Sequence, residues 1–275
     1  MKKLLLFTLA FLIALPAFAQ EKKHNLSLAF ETSNYSYREP SLQYPPDWSG
    51  TMYGVSAQYT GRSLFSDGTE ISAEDRSFLN LELRYMQGDV DYDGYLQDGT
   101  AFKAKDIGDY YFEGALTAGA VYDIGQSGFS LRPYLGLGAR YLVDRLNETG
   151  SGGYRRTSTY IYMPIGLKAK QELSNGWSLS ANGQFDLLLS GRQSSKDIGG
   201  ELSIRNKQDE GYGLRGSVKL QKDFKNFGIF AEPFIRYWHI QNSDGVLATD
   251  GIYIYEFVEP KNETREYGLK IGLAF

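Results

Sequence analysis

The chain has no cysteine, which excludes disulfides and thiolate metal sites together. Proline is scarce, 8 in 275 residues, and histidine is limited to His24 and His239. Bases that titrate near neutral pH are therefore almost missing, and no His/Cys cluster suggests zinc. After the first residues no apolar run approaches ~20 residues, so helical membrane spans are excluded. A positive excess is missing too. The formal charge is −4, which argues against nucleic acid as a partner. What is plentiful is tyrosine (21) and glycine (31), a β-rich composition.

The opening stretch, MKKLLLFTLAFLIALPAFAQ, sets Lys2 and Lys3 before an apolar core from Leu4 to Leu15 and the small-residue site Ala17-Phe18-Ala19. This is the pattern of a secretory signal peptide, expected over residues 1–19, with residues 20–275 as one exported domain. Setting the leader aside leaves 27 basic against 33 acidic residues, a charge of −6.

From residue 24 onward the period is two. In LRPYLGLGARYLV (131–143) the odd positions carry Leu131, Leu135, Leu137, Tyr141 and Val143, and the even ones carry Arg132, Gly136, Gly138 and Arg140. Ten such segments follow one another: 24–38, 50–61, 76–91, 108–123, 128–143, 157–173, 176–190, 210–224, 227–241 and 263–275. Many exceed the ~5–6 residues usual in soluble sheets and suit strands that cross a bilayer at a tilt. DIGQSG, SNG and KNFG are tight turns, whereas 92–107, 144–156, 191–209 and 242–262 are long and polar. The connection 62–75 breaks this alternation of short and long. The expected fold is all-β: a closed antiparallel transmembrane β-barrel of ten strands with long outer loops and short periplasmic turns. Closure follows from physics, because an unpaired backbone N–H or C=O in hydrocarbon costs several kcal/mol.

The last strand reads EYGLKIGLAF, with Tyr267, Leu269, Ile271 and Leu273 on one face and Phe275 at the end. It resembles the terminal signal by which the barrel-assembly machinery recognises outer-membrane proteins. Tyrosines near strand ends (Tyr37, Tyr53, Tyr59, Tyr85, Tyr110, Tyr122, Tyr141, Tyr160, Tyr212, Tyr237, Tyr267) fit interfacial girdles. Leu135 and Ile229 read as lipid-facing near mid-membrane.

If the apolar face meets lipid, the lumen holds Glu82, Arg84, Glu113, Arg132, Arg140, Lys168, Asp186, Arg215, Glu232 and Arg236, together with Glu31, Lys170, Lys219, Glu266 and Lys270. Six are acidic and nine basic. A filled interior of paired charges is one reading, because an unpaired buried charge would be prohibitive. A narrow, mildly anion-favouring solute channel is the other. Interiors of barrels near eight strands can be filled by side chains, and open channels appear at about sixteen.

Ten strands with long outer loops resemble the omptin family of outer-membrane proteases, in architecture over the whole exported chain. Omptins are similar in carrying an Asp-x-Asp pair just outside the third strand, where this chain has Asp89, Asp91 and Asp93. The resemblance implies an Asp–His dyad in the fourth outer loop as well. The matching stretch, SGRQSSKDIGGELSIRNKQDE, has no histidine, so omptin-type proteolysis is not expected. Barrel-type lipid A deacylases pair a His with a Ser two residues on; here His239-Ile240-Gln241 puts Gln there. His239 therefore reads as an interfacial aromatic.

GDVDYDGYLQDGT also opens like an EF-hand, but Thr100 stands where the bidentate Glu is needed. The alternate aspartates Asp89, Asp91 and Asp93 fall on one side of a strand, with Asp98, Asp106 and Asp109 as candidate neighbours. They would repel unless a divalent cation or a basic side chain neutralises them, so weak calcium or magnesium binding is one expectation and a solvated acidic loop the other. No other cofactor is expected. Arg155 and Arg156, at an outer strand end, are candidates to grip lipopolysaccharide phosphates.

With no complete catalytic set, the sequence points to a non-enzymatic integral outer-membrane barrel, broadly similar to small opacity-type surface barrels. It would be embedded in outer-membrane lipid and lipopolysaccharide and would act structurally or on a surface ligand through its outer loops. The alternatives are the porin-like channel and an omptin-like or lipid A-modifying enzyme.

Overall fold

A computed structural model describes residues 24–42, 45–62, 76–95, 99–149, 153–198, 202–249 and 253–275. The leader, Asp98 and nearly all of the connection 62–75 lie outside these residues. The barrel strands are β1 (His24–Arg38), β2 (Asp47–Arg62), β3 (Ser77–Tyr95), β4 (Ala101–Ala120, continued by β5, Tyr122–Ile124) and β6 (Phe129–Arg145). They continue with β7 (Arg155–Glu172), β8 (Trp177–Ile198, with β9, Leu202–Lys207, folding back on it), β10 (Gly211–Asp223), β11 (Gly228–Ile240) and β14 (Asn262–Ala274). β12 (Val246–Thr249) and β13 (Ile254–Phe257) form a separate hairpin in the connection between β11 and β14. Each barrel strand pairs antiparallel with its neighbours, and β14 returns to β1 through Ser27↔Ala274 to Arg38↔Glu263. The ten-stranded ring is closed.

The outward positions carry the apolar belt: Phe30, Leu83, Leu135, Leu137, Ile235 and Ile271 are each 40–60% exposed. That much exposed aliphatic surface in a continuous band is a lipid-facing surface. Tyr85, Tyr110, Tyr141, Tyr212 and Tyr237 stand at its outer rim; Tyr59, Tyr122, Trp177, Phe224 and Phe227 stand toward the short turns. Two expectations need correction. Tyr37 and Tyr160 face inward and are buried, so they belong to the core and not to a girdle. Ile229 is the second residue of β11, beside the tight turn, so Ile235 is the residue of that strand nearer mid-membrane.

All four expected long loops contain further ladder, 144–156 only at its two ends. β3 and β4 keep pairing to Tyr95↔Ala101, and β8 pairs with β9 across the stretch 191–209. The reason is a change of phase. Along β3 the outward face runs Leu81, Leu83, Tyr85 and then Gln87, Asp89, Asp91, Asp93; the inward face runs Asn80, Glu82, Arg84 and then Met86, Val90, Tyr92. Outside the bilayer the outward face meets water and becomes polar, while the inward face packs and becomes apolar. Alternation survives with its sign reversed. Within 144–156, Leu146–Thr149 forms a 3-10 turn, and 242–262 holds the β12–β13 hairpin.

The tight turns have the chemistry their geometry requires. In the SNG turn both Asn175 (φ 57°) and Gly176 (φ 73°) are left-handed, the I′ arrangement that suits the twist of a hairpin. Inside the barrel, the Tyr162 ring lies where a Cβ on Gly138 would stand. Glycine at 138 leaves the room that this ring occupies.

Candidate functional site

Midway along the lumen, register alone brings opposite charges together. Arg84↔Glu113, Glu113↔Arg140, Arg236↔Glu266 and Glu31↔Lys270 are direct cross-strand partners, all pointing inward. The side chains close into one network. Arg84 bridges Glu31 (3.2 Å) and Glu113 (3.3 Å) and also contacts Glu82. Arg236 joins Glu31 (2.6 Å) to Glu266 (3.4 Å), and Arg140 meets Glu266 at 3.2 Å. Arg215 holds Asp186 (2.5 Å) and contacts Glu113. Lys270 lies 3.4 Å from Glu82 and 3.7 Å from Glu31. Five cations face five carboxylates, and Tyr111 and Tyr162 donate hydroxyl hydrogen bonds to Glu266 (2.7 Å) and Glu113 (2.8 Å).

Above this layer the barrel is packed with side chains. Tyr35, Met52, Met86, Val90, Ile107 and Tyr111 are among the buried cluster on one side, and Tyr160, Tyr162, Leu188, Trp238 and Ile240 form another.

At the outer mouth the sequence reading missed a second polar centre, built around Arg156. Its guanidinium lies 4.3 Å from the Tyr37 ring centre and 4.5 Å from that of Trp48. Three carboxylates surround it: Glu39 (2.8 Å), Asp144 (3.1 Å) and Glu259 (3.5 Å). Glu39 and Glu259 come from connecting segments beyond the strands, so Arg156 ties the mouth of the barrel to its covering loops. The Ser243 hydroxyl accepts from the Glu259 N–H (2.8 Å) and from Asn206 Nδ2 (3.0 Å), which joins β9 to the same assembly. Burial raises the Glu39 carboxyl above its ordinary value despite the guanidinium beside it. Burial, with Glu39 nearby, pushes the Glu259 carboxyl up to about 7 against the opposing pull of Arg156.

The other sequence-derived positions sort clearly. The ten lumen residues, with Glu31, Lys170, Lys219, Glu266 and Lys270, all occupy inward positions. Arg156, expected on the surface with Arg155, is only 4% exposed; neighbours in a strand point to opposite faces, so both could not reach the same phosphate. Arg155 does point outward, between Arg145 and Lys196 in register. Asp89, Asp91 and Asp93 point away from the barrel mouth, and a basic side chain neutralises one of them: Lys103 lies 2.5 Å from Asp93. Among the described residues no group of three carboxylate or imidazole side chains converges to hold a metal ion.

His239 is outward, its ring 5.3 Å from that of Tyr212 and its Nδ1 3.5 Å from Glu263. Ser243 belongs to the loop assembly and is no partner for it. His24 contacts Tyr59 at the short-turn end. Tyr267, Leu269 and Ile271 face outward, and the Phe275 N–H donates to the Leu26 carbonyl (2.8 Å), closing the last strand onto the first.

No protein-family model and no curated sequence matches the chain. Among solved structures it is similar to the outer membrane protease OmpT from Escherichia coli, at 12% identity and a TM-score of 0.63, over 92% of this chain and 96% of that one. It also aligns with the transport unit of the autotransporter AIDA-I from Escherichia coli (8% identity, TM-score 0.41, 94% and 93% covered). A third match is Ail, the attachment invasion locus protein of Yersinia pestis (14%, 0.30, 92% and 99% covered). At these identities the likeness concerns architecture alone. The chain has the fold of a bacterial outer-membrane β-barrel, closed and ten-stranded.

Proposed function

We propose that this protein is a non-enzymatic outer-membrane barrel whose outer loops make contact with a surface ligand. One observation carries the reading: the β12–β13 hairpin and the residue before β13 present apolar side chains to solvent. Leu247 is 71% and Ile254 77% exposed, with Tyr253 beside them at 63%. Exposed aliphatic and aromatic residues on a hairpin are the usual material of a contact surface. The packed outer half and the neutral ion layer support a filled lumen over a narrow solute channel. The outward direction of Asp89, Asp91 and Asp93, and the absence of histidine near them among the described residues, support a non-enzymatic role over an omptin-like one.

The barrel would be inserted by the assembly machinery and surrounded by lipopolysaccharide. An outward basic row supports that partner. Arg145, Arg155 and Lys196 are adjacent across three strands, and Arg192 and Arg205 lie outward on β8 and β9. Such a row suits phosphate groups of the outer leaflet.

The test combines adhesion and conductance. Cells displaying the barrel are scored for adherence to one another and to immobilised glycans and proteins, and the purified barrel is placed in a planar bilayer. Adherence lost on Leu247→Ser with Ile254→Ser, and a silent bilayer, are expected. Stepwise conductance would replace this reading by the channel; adherence unaffected by the double substitution would remove the hairpin from it.

A further inference from the structure

Two buried carboxyls stand side by side at the outer mouth, and the ion pairs around Arg156 use only one of them. Asp109 lies just outside the rim residue Tyr110 on β4, and Asp144 faces it from β6, one step beyond the register pair Tyr110↔Val143. They are 3% and 4% exposed. On the inward face of β4, Asp109 sits between Ile107 and Tyr111; on that of β6, Asp144 sits between Leu142 and Leu146, and all four flanking residues are buried. Asp144 is fully engaged, its Oδ1 accepting the Leu146 N–H (3.1 Å) and its Oδ2 meeting Arg156 at 3.1 Å. Asp109 accepts the Arg145 N–H at 3.3 Å and forms no ion pair with a described residue. The Arg145 guanidinium nearby is turned to the Gly108 carbonyl and to Glu148 (3.3 Å).

The surroundings cannot neutralise both carboxylates. Tyr35 of β1 and Arg156 of β7 face the pair; beyond Arg156 lie Glu39, Glu259 and the hydroxyls of Tyr37, Tyr154 and Tyr160. β3 brings no charge, since Gly88 is the residue opposite Asp109. The outer stretches 43–44, 96–98, 150–152, 199–201 and 250–252 contain no lysine or arginine. Four buried carboxyls thus share one buried guanidinium, and ionising all of them would leave three charges uncompensated among apolar side chains. Binding a proton costs far less. Burial, with Asp144 next to it, pushes the Asp109 carboxyl up to about 9.

We propose that Asp109 and Asp144 hold one proton between them and that this proton latches the outer mouth shut. While it is bound, Asp144 caps the 3-10 turn at Leu146 and holds Arg156, which in turn holds Glu39 and Glu259. When it is lost, two adjacent carboxylates repel, and Asp109 gains relief only by reaching water, which parts the outer ends of β4 and β6. A carboxyl held above its unfolded value of about 3.9 stabilises the closed mouth fully below that pH. Its contribution is lost as pH rises toward about 9. Glu259 acts in the same direction only up to about 7, so the slope between 7 and 9 belongs to the aspartate pair. The latch does not depend on what the outer loops contact.

The test is hydrogen exchange of the refolded full chain in zwitterionic detergent, corrected for the intrinsic rise of exchange with pH. It is read at the Arg145 and Leu146 amides, which donate to the two carboxyls. The opening constant is expected to rise roughly tenfold per unit above pH 7 and to level off near 9. In Asp109→Asn the slope should fall below about threefold per unit, because the amide keeps an acceptor for the Arg145 N–H and has no proton to lose. Asp93→Asn, outward at the surface, leaves the slope unchanged. Should Asp109→Asn not fold, as judged by heat-modifiable migration, infrared spectroscopy of the unmodified chain makes the decision. A neutral-carboxyl band that moves on isotope labelling of aspartate should persist at about pH 8 and be gone by about pH 10. A flat exchange profile in the unmodified chain, a slope retained in Asp109→Asn, or no such aspartate band at about pH 8 would each overturn the proposal.

Discussion

Replacing Arg156 by alanine removes the one cation paired with Glu39, Asp144 and Glu259 among the described residues and empties the space beside the Tyr37 and Trp48 rings. Breaking a buried ion pair by removing one partner costs about 3–5 kcal/mol, because the stranded charge keeps its desolvation penalty. The two ring contacts add about 1–2 kcal/mol when desolvated. Protonation of the stranded carboxylates takes some of this back, so a net cost of about 4 kcal/mol is a fair central value. At about 1.4 kcal/mol per tenfold, the loops open roughly a thousandfold more often. The cage sits at the outer ends of β1, β2, β6 and β7, beyond the apolar belt, so the membrane-embedded ladder is untouched and heat-modifiable migration should be unchanged. Limited proteolysis of the refolded barrel reads the difference: cleavage in 242–262 accelerates by orders of magnitude in Arg156→Ala. Arg156→Lys should fall between the two, since an ammonium cannot serve three carboxylates and two ring faces at once. Equal protease resistance of wild type and Arg156→Ala would show that the loops are held by something other than this residue.

Four further outcomes are expected. Glu259 is held above its unfolded value, at about 7, so the folded loops bind more protons than the unfolded ones. Loop protection is then complete below about pH 4.5, declines as pH rises through about 7, and loses much of that slope in Glu259→Gln, as hydrogen exchange across 253–259 would report. Leu135→Arg, at a position 60% exposed in the lipid belt, should cost about 2–4 kcal/mol of folding stability in lipid vesicles, and no change would refute the lipid-facing assignment. Deleting Phe275 removes its backbone pair with Leu26 and the end of the insertion signal, so the yield of heat-modifiable barrel in cells should fall. Calcium titration should give little heat because Lys103 already serves Asp93; a clear signal that disappears on Asp91→Ala with Asp93→Ala would restore the divalent-cation reading.

The strands were legible in the sequence because a lipid-facing strand leaves a strong period of two. Residues 131–143 alone specify which side chains of β6 face out and which face in. The ion layer follows from the same parity, which sets Arg84, Glu113 and Arg140 inward whatever the register. What the pattern hid lies beyond the bilayer. There the alternation continues with apolar residues inward, as Val90 and Tyr92 do, and a search for outward apolar positions ends at the girdle. That is why 92–107 and 191–209 read as loops. Arg156 was lost for a related reason: Ile165 and Leu167 already put the odd positions of β7 outside, but two adjacent arginines invite reading as a pair. The cage around it joins residues as far apart as Glu39 and Glu259, and nothing in one sequence announces such a contact.

The length of β8 sets how far the protein stands out from the cell. At about 3.3 Å per residue and a tilt near 40°, its 22 residues rise roughly 55 Å along the membrane normal, against an apolar band of about 25 Å. About half of the strand therefore lies outside the hydrocarbon, most of it on the outer side, stiffened by β7 and β9. A walled turret holds the described outer ends of its strands at a fixed height above the hydrocarbon, within reach of a large macromolecule that never approaches the bilayer.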